Sequence, residues 1–344
     1  MVTICDVAQA AGVSPATVSR AFRQPGRVNV ETLERVLDVA RELGYRSDAI
    51  ISRSERFGEQ GGERELLGLI ALVVTDLENP VSSQFARAIQ RTCARRDFGL
   101  MVSESEESPE RELAIIRRTL PHVDGIILSA SRLSDVQLRK IAQERPLAVL
   151  NRLVPGVQSI YPDDARGLRE AVHRLRVLGH RQVTYLPGPQ SSWQNGLRGN
   201  AIAVACRNEG MTLRRTPCAY PVGDHAGEAF ESFRTHPTSS LIAFNDDIAI
   251  AFMRWHRSEI KNGGLPRDIA VVGVDDTPQC EIATPALASV RVPRQEMGVA
   301  AAERIIARVL HVWDGDLSPV CIPSSFMDRA SVGHGAESEA VGTA

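Results

Sequence analysis

Thr3-Ile4-Cys5-Asp6-Val7-Ala8, Ala11-Gly12-Val13-Ser14, Thr17-Val18-Ser19-Arg20 and the closing Leu43-Gly44-Tyr45 set the reading of this chain. Asp6 to Ala11 reads as a short helix with Val7, Ala8 and Ala11 on one face. Gly12 permits the left-handed backbone that stops a helix sharply. Ser14 suits an N-cap, and Pro15 suits the first helical position, where its missing N–H is not needed. A second helix follows, with Val18 and Phe22 facing inward together. Thr32 to Leu43 is a third helix, with Leu33, Val36, Leu37, Ala40 and Leu43 at helical spacing. Helix, glycine turn and capped second helix is the plan that places its second helix in the major groove of DNA. Pro15, Ala16, Thr17, Ser19 and Arg20 are the side chains that packing does not require. Arg20 can donate two hydrogen bonds to a guanine edge, and Ala16 can touch a thymine methyl. Arg23, Arg27, Arg35 and Arg41 either meet phosphates or form a solvated face.

Charge alone does not mark this end as a nucleic-acid binder. Residues 1–56 hold eight arginines against seven acids, a net of +1. Phosphate binding there must come from local placement. The whole chain has 344 residues, 43% hydrophobic and 24% charged, with net charge −2. That is ordinary for a globular protein with two or three domains. No apolar run approaches a membrane span, and no secretory leader is evident. The six cysteines are scattered with no CxxC pair, so free thiols in a reducing cytoplasm are expected and no zinc site or disulfide framework.

Ser47 to Glu65 is polar and carries Gly58, Gly61 and Gly62, so it reads as a linker. Apolar strands then alternate with amphipathic helices. The expected strands are Leu67–Val74, Gly99–Ser103, Gly125–Leu128, Leu147–Leu150, Val183–Leu186, Leu241–Phe244 and Ala270–Val274. The expected helices are Ser82–Arg96, Pro109–Leu120, Ser134–Glu144, Ala165–Leu178, Leu197–Glu209 and Ile248–Arg257. The alternation predicts two tandem α/β lobes with parallel sheets flanked by helices. Several strands end in polar residues: Thr75-Asp76, Ser129, Asn151, Asn245-Asp246 and Asp275-Asp276. Singly each fits a turn or cap. Together they line one edge of each sheet and favour a cleft between lobes. There is no Walker loop, no GxSxG and no histidine metal spacing, so neither a cofactor nor an enzyme is expected. Asp163-Asp164 and Asp275-Asp276 fit caps or ligand hydrogen-bonders better than an acid/base couple.

These pieces in order resemble the lac-repressor (LacI) family of transcription factors along nearly the whole chain. Besides the N-terminal block, the resemblance is carried by Asp76-Leu77-Glu78-Asn79-Pro80, Val123-Asp124-Gly125-Ile126-Ile127-Leu128 and Leu178-Gly179-His180-Arg181. It continues through Gly188-Pro189, Asn245-Asp246, the run from Leu265-Pro266-Arg267-Asp268 to Gly273, and Pro285-Ala286-Leu287. The resemblance implies an N-terminal all-α helix-turn-helix domain over residues 1–46 and a hinge helix and linker over 47–65. It implies a periplasmic-binding-protein-like core over 66–332. Its N-lobe is about 66–160 with 290–320, and its C-lobe about 161–289 with 321–332. Residues 333–344 read as a disordered tail. The function implied is a cytoplasmic repressor that binds palindromic operator DNA as a homodimer or tetramer and answers to a small polar effector. A sugar-binding transport component and an α/β enzyme are the competing readings. The N-terminal module argues against the first, and the lack of a catalytic constellation against the second.

Carried over residue by residue, the effector-contacting arginine falls on Arg198 and its acidic partner on Asp275. Asn245 and Asn151 match pocket positions, and Asn79 is counted with them. Ser192 and Gln194 fall on variable selectivity positions. An arginine and an aspartate across a cleft suit a polyhydroxylated ligand. A lobe-to-lobe salt bridge is the alternative role for Arg198. Thr3, Ser14, Asn29, Arg35 and Tyr45 complete the expected DNA contacts beside the second helix and Arg23. Three departures from the family stand out. His225 follows Gly223-Asp224, where relatives carry a stacking aromatic. Ala201 and Ile202 stand where a Gly-Phe pair is usual. Ser47-Asp48 and Ser54 replace the Pro-Asn and the leucine wedge of the hinge, and serine cannot unstack bases as leucine does. Ile50 or Ile51 in a shifted register is the expected substitute wedge.

Overall fold

The computed structural model describes residues 3–23, 28–43, 66–222, 226–261, 263, 265–312 and 315–333. Expectations for Tyr45, the hinge with Ile50, Ile51 and Ser54, His225, the tail from 334 onward and the side chain of Arg23 lie outside the described residues.

The N-terminal unit has three helices: α1 (Ile4–Ala11), α2 (Pro15–Arg23) and α3 (Val30–Glu42). Thr3 opens α1 with a capping box. Its hydroxyl accepts from the Asp6 N–H, and its own N–H donates to Asp6 Oδ2 at 2.7 Å. That reciprocal pairing satisfies two donors that a helix start leaves open. Gly12 takes φ 64° and closes α1 with bonds to the Ala8 and Gln9 carbonyls. Ser14 then caps α2, its Oγ accepting from the Thr17 N–H at 3.1 Å. Val7, Ala8, Ala11, Val18, Ala21, Val36 and Ala40 form a small core of their own. Leu43, expected inside, is 40% exposed.

The body carries two six-stranded sheets. The first uses β1 (Leu69–Val74), β2 (Gly99–Glu104), β3 (Gly125–Ser129), β4 (Leu147–Leu150), β5 (Gln158–Asp163) and β11 (Val320–Pro323). Its order is β11-β5-β4-β3-β1-β2, parallel throughout. The second uses β6 (Gln182–Leu186), β7 (Thr212–Arg215), β8 (Ser240–Ala243), β9 (Ala270–Asp275), β10 (Ala288–Arg291) and β12 (Ser325–Met327). Its order is β12-β10-β9-β8-β6-β7, parallel except for β12, which runs against β10. Each sheet therefore begins at a switch in strand order, which opens a crevice at the carboxyl ends of its strands.

The helices of the first lobe are α4 (Pro80–Ala94), α5 (Pro109–Thr119), α6 (Asp135–Glu144) and α12 (Arg294–Val309). Those of the second are α7 (Asp164–Val177), α8 (Trp193–Asn208), α9 (Ala226–Thr235), α10 (Asp246–Lys261) and the short α11 (Gln279–Ile282). The chain crosses between lobes after Asp163, between Arg291 and Arg294, and at Ser324. The first and last crossings lie a little beyond the expected 160 and 320, because β5 and β11 pair side by side through Asp163 and Pro323. The crossings are tight. A Cβ at Gly167 would stand 2.5 Å from Val290 Cγ1 and 2.8 Å from Ser324 Oγ.

Candidate functional site: a cleft at the strand ends of both lobes

The carboxyl ends of the strands of both sheets converge on one cleft. Thr75 follows β1, Ser129 ends β3 and Asn151 follows β4; Asn245 follows β8 and Asp275 ends β9, and all five line the cleft. Two of the turns there are conformationally strained. Asn151 has φ 62°, Asp275 φ 120° and Asp276 φ 53°. Non-glycine residues held in this region mark places where the surrounding structure overrides local preference, often at ligand sites.

Arg198 on α8 is the centre of the cleft. It is 2% exposed, so its charge must be met by protein partners. Nε donates to Asp164 Oδ2 at 2.8 Å, Nη1 to the Phe244 carbonyl at 2.7 Å and Nη2 to Asp275 Oδ1 at 3.4 Å. Its guanidinium also lies 5.0 Å from the centre of the Phe244 ring, within cation–π range. Burial works against the charge, but the carboxylates of Asp164 and Asp275 outweigh it and hold Arg198 above its ordinary pKa. Burial pushes Asp275 up, with the Arg198 and Arg294 guanidiniums pulling the other way. Asp164 and Asp275 belong to the same lobe as Arg198. The salt bridge is therefore within one lobe, not between lobes.

The link between lobes is made by Arg294, at the start of α12. It donates to Gln84 Oε1 on α4 at 2.6 Å and to the Asp276 carbonyl at 3.2 Å, and stands 3.8 Å from Asp275 Oδ1. Across the cleft, Arg132 donates to Glu107 at 2.6 Å. The Tyr220 ring meets Phe244 edge to face at 6.5 Å between centroids. Gly188 makes the wall possible: a Cβ there would lie 2.4 Å from the Phe244 ring. Behind it, Asp246 accepts from Ser289 Oγ and the Thr277 N–H. Burial and the nearby Asp275 push it up to about 7. Burial, with Asp275 and Asp76, likewise pushes Asp247 up to about 6.

Of the expected effector residues, Asn79, Asn151, Gln194, Arg198, Asn245 and Asp275 line this one cleft. Two spend part of their side chains as caps: Asn79 Oδ1 accepts from Val81 N at 2.9 Å, and Asn245 Oδ1 from Ile248 N at 3.0 Å. Ser192 does not reach the lining. It is buried as the N-cap of α8, accepting from Asn195 N. Sequence reading missed Asp164, Arg132, Glu107, Tyr220, Phe244 and Arg294. Asp163-Asp164 was expected to supply caps or ligand hydrogen-bonders; Asp163 caps, accepting from Arg166 N, and Asp164 holds Arg198. At the N-terminal unit, Thr3, Ser14, Pro15, Ala16, Arg20, Asn29 and Arg35 are exposed, and Thr17 and Ser19 half-buried. Ser14 and Thr17 bond to each other through their hydroxyls at 2.8 Å. Among the described residues there is no cluster of metal-ligating side chains and no helix long and apolar enough to cross a membrane.

Comparison with known proteins now fixes the family. Residues 3–48 match the profile of bacterial regulatory proteins of the lacI family, and residues 172–332 that of a periplasmic binding protein-like domain. The ribose operon repressor of Bacillus subtilis is 30% identical over 310 residues, which cover 89% of this chain and 91% of the repressor. The chain belongs to the lacI family of bacterial regulatory proteins. The regulator AscG of Escherichia coli is 29% identical over 341 residues, covering 96% of both chains. Among solved structures, the lac repressor dimer bound to operator and the anti-inducer ONPF superposes with TM-score 0.66 at 25% identity, covering 96% of this chain and 99% of that one. A transcriptional regulator CelR–cellobiose complex superposes with TM-score 0.67 at 24% identity, over 96% of this chain and all of that one. This lacI-family regulator thus carries the helix-turn-helix head and the two-lobed core that the sequence predicts.

Proposed function

We propose that this lacI-family regulator is a cytoplasmic repressor whose operator affinity is set by a small polar effector held in the cleft. Arg198, Asp275, Asn151, Asn245, Asn79 and Gln194 supply its polar contacts. The observation that carries this is the buried Arg198–Asp164–Asp275 cluster, set where strand ends of both sheets meet. Burying such a cluster is costly, and it contributes little to stability compared with apolar packing. Its place at a cleft wall is explained by ligand binding. The lac repressor, similar over almost the whole chain, is seen with both operator and a small molecule. We read the cleft as binding and not catalytic, because its acids are committed to guanidiniums, backbone N–H groups and hydroxyls.

The head reads DNA through Pro15, Ala16, Thr17, Ser19 and Arg20, and Arg23, Arg35, Thr3, Ser14, Asn29 and Tyr45 position it on the backbone. One such head reads few base pairs, so two copies pair on a palindrome with half-sites about 10 bp apart centre to centre. Ligand closure of the lobes shifts the population between DNA-competent and DNA-incompetent arrangements. Arg294 is suited to transmit this, since it holds α4 of one lobe against Asp276 of the other.

The test is deletion of residues 1–56. Specific operator binding, read by fluorescence anisotropy, is lost, while effector binding to the remaining core persists. Specific operator binding by the truncated chain would overturn the proposal.

A further inference from the structure

We propose that Ser324 is a positioning residue for the effector cleft, its hydroxyl tying the angle between the lobes to the guanidinium of Arg198. This rests on the reading of the cleft as the effector site.

Asp163 and Pro323 are register partners at the end of the first sheet, so two of the three crossings leave that lobe side by side. Asp164 then opens α7 and Ser325 opens β12, both in the second lobe. Ser324 lies between these crossings and is 2% exposed. Its Oγ accepts from the Gly167 N–H at 3.2 Å and donates to the Asp163 carbonyl at 2.7 Å. Those two backbone groups are four residues apart, the pair that ordinarily bonds directly to close a helical turn. The hydroxyl is therefore spliced into the first turn of α7. Gly167 makes room for it, since a Cβ there would stand 2.8 Å from Ser324 Oγ. The same Cβ would meet Val290 on β10, the strand that leads into the remaining crossing.

The turn held in this way carries Asp164. Asp164 Oδ2 accepts from Arg198 Nε at 2.8 Å, while its buried Oδ1 has no hydrogen-bond partner among the described residues. With no second bond on the carboxylate, the backbone of the turn sets its place. Ser324 fixes the turn, Asp164 follows the turn, and Arg198 follows Asp164. Arg198 in turn reaches the Phe244 carbonyl and Asp275 at the cleft wall. A change in lobe angle rotates the backbone near 163–164 and 323–325, and the shared hydroxyl makes both crossings turn together. The guanidinium moves with them, so a ligand that holds the guanidinium favours one lobe angle over another.

Removing the hydroxyl separates this role from support of the fold. In Ser324→Ala the Gly167 N–H and the Asp163 carbonyl can bond each other, so no buried donor is stranded and little stability is lost. The first turn contracts, and Asp164 is drawn away from Arg198.

The test follows solvent exchange of the Arg198 Nε proton by nitrogen-resolved NMR of the purified full-length protein, with the signal assigned by its absence in Arg198→Lys. Ser324→Ala is expected to speed that exchange about tenfold, with a thermal midpoint within about 3 °C of the wild type. Ser325→Ala removes the neighbouring exposed hydroxyl and should change neither. Unchanged exchange in Ser324→Ala would overturn the inference. So would a larger fall in its midpoint, which would make Ser324 a support of the fold alone. Isothermal titration with D-ribose, cellobiose and ribose 5-phosphate as probes separates this inference from the reading of the cleft. A probe bound by the wild type should bind Ser324→Ala about tenfold more weakly, about 1.4 kcal/mol, and Arg198→Ala more weakly still. A probe weakened by Arg198→Ala but not by Ser324→Ala keeps the cleft as the effector site and overturns only the positioning role. A probe that neither substitution weakens removes the reading of the cleft. Should no probe bind, the exchange measurement decides.

Discussion

Replacing Arg198 by alanine tests whether the cleft cluster behaves as a buried ion pair. The substitution leaves the Asp164 carboxylate without its 2.8 Å partner and Asp275 without one of its two guanidiniums. It also removes the donor to the Phe244 carbonyl. Breaking a buried pair by truncating one partner costs about 3–5 kcal/mol, mostly because the remaining charge is stranded. Urea unfolding followed by tryptophan fluorescence reads that loss, since Trp193 and Trp255 both lie in the affected lobe. Asp164→Asn alone should cost less. In its background the Arg198→Ala penalty should shrink by about 1–3 kcal/mol, the range seen for directly contacting pairs.

The pH dependence gives a second, independent check. Asp275 already sits above its ordinary value because of burial, and Arg198 opposes that rise. Removing Arg198 therefore lifts the folded-state value further. A carboxyl whose folded value lies above its unfolded value loses stability as pH rises between the two. The deficit of Arg198→Ala should then be small near pH 4 and grow toward neutrality. A deficit below about 1 kcal/mol at neutral pH, the worth of a surface pair, would refute the buried-cluster reasoning. A deficit independent of pH would refute the part assigned to Asp275.

Gly188→Ala places a Cβ 2.4 Å from the Phe244 ring; overpacking of this kind costs about 1–3 kcal/mol, and the displaced ring should weaken effector binding in the same variant. Asp246, with a folded value of about 7 against 3.8, loses stability as pH rises through that window. Asp246→Asn does not titrate, so its urea midpoint should gain on the wild type between about pH 4 and 7 and level off above that; parallel pH profiles would exclude the assignment. Ser14→Ala removes the cap of α2, worth about 1 kcal/mol, so hydrogen exchange at the Thr17 and Val18 amides should quicken about fivefold. Ile50→Ala or Ile51→Ala should weaken operator affinity and reduce DNA bending if one of them is the wedge; no change in either variant rejects the shifted register.

How much the sequence could reveal depended on how local the cause was. The head was legible because its signals act within four residues: Gly12 behind Ala8 and Ser14 with Thr17; the first helix nevertheless starts at Ile4 and not at Asp6, because Thr3 caps it through Asp6. Interior strands such as β3 and β4 were legible because every residue in them is buried. Strands with few apolar residues were not: the interior β5 (Gln-Ser-Ile-Tyr-Pro-Asp) and β10 (Ala-Ser-Val-Arg) were missed, as were the edge strands β7 and β11. β7 reads Thr-Leu-Arg-Arg and is largely exposed, and β11 carries a proline and alternates with solvent, so neither shows an apolar run. Helix α8 begins at Trp193 rather than Leu197 because Ser192 caps it, although Gln194, Asn195 and Gly196 hide the helical periodicity.

The cleft divides the same way. Residues that follow strands, such as Asn151, Asn245 and Asp275, were visible as polar stops at the ends of apolar runs. Asp164 was not, because its role depends on a partner thirty-four positions away on another helix. Glu107 and Arg132 were hidden for the same reason, since their pairing spans two loops of the first lobe. Sequence shows which side chains are available, and the fold decides which charges cancel. An arginine at position 198 read alone suggests an anion, whereas the same arginine between Asp164 and Asp275 presents a surface without net positive charge.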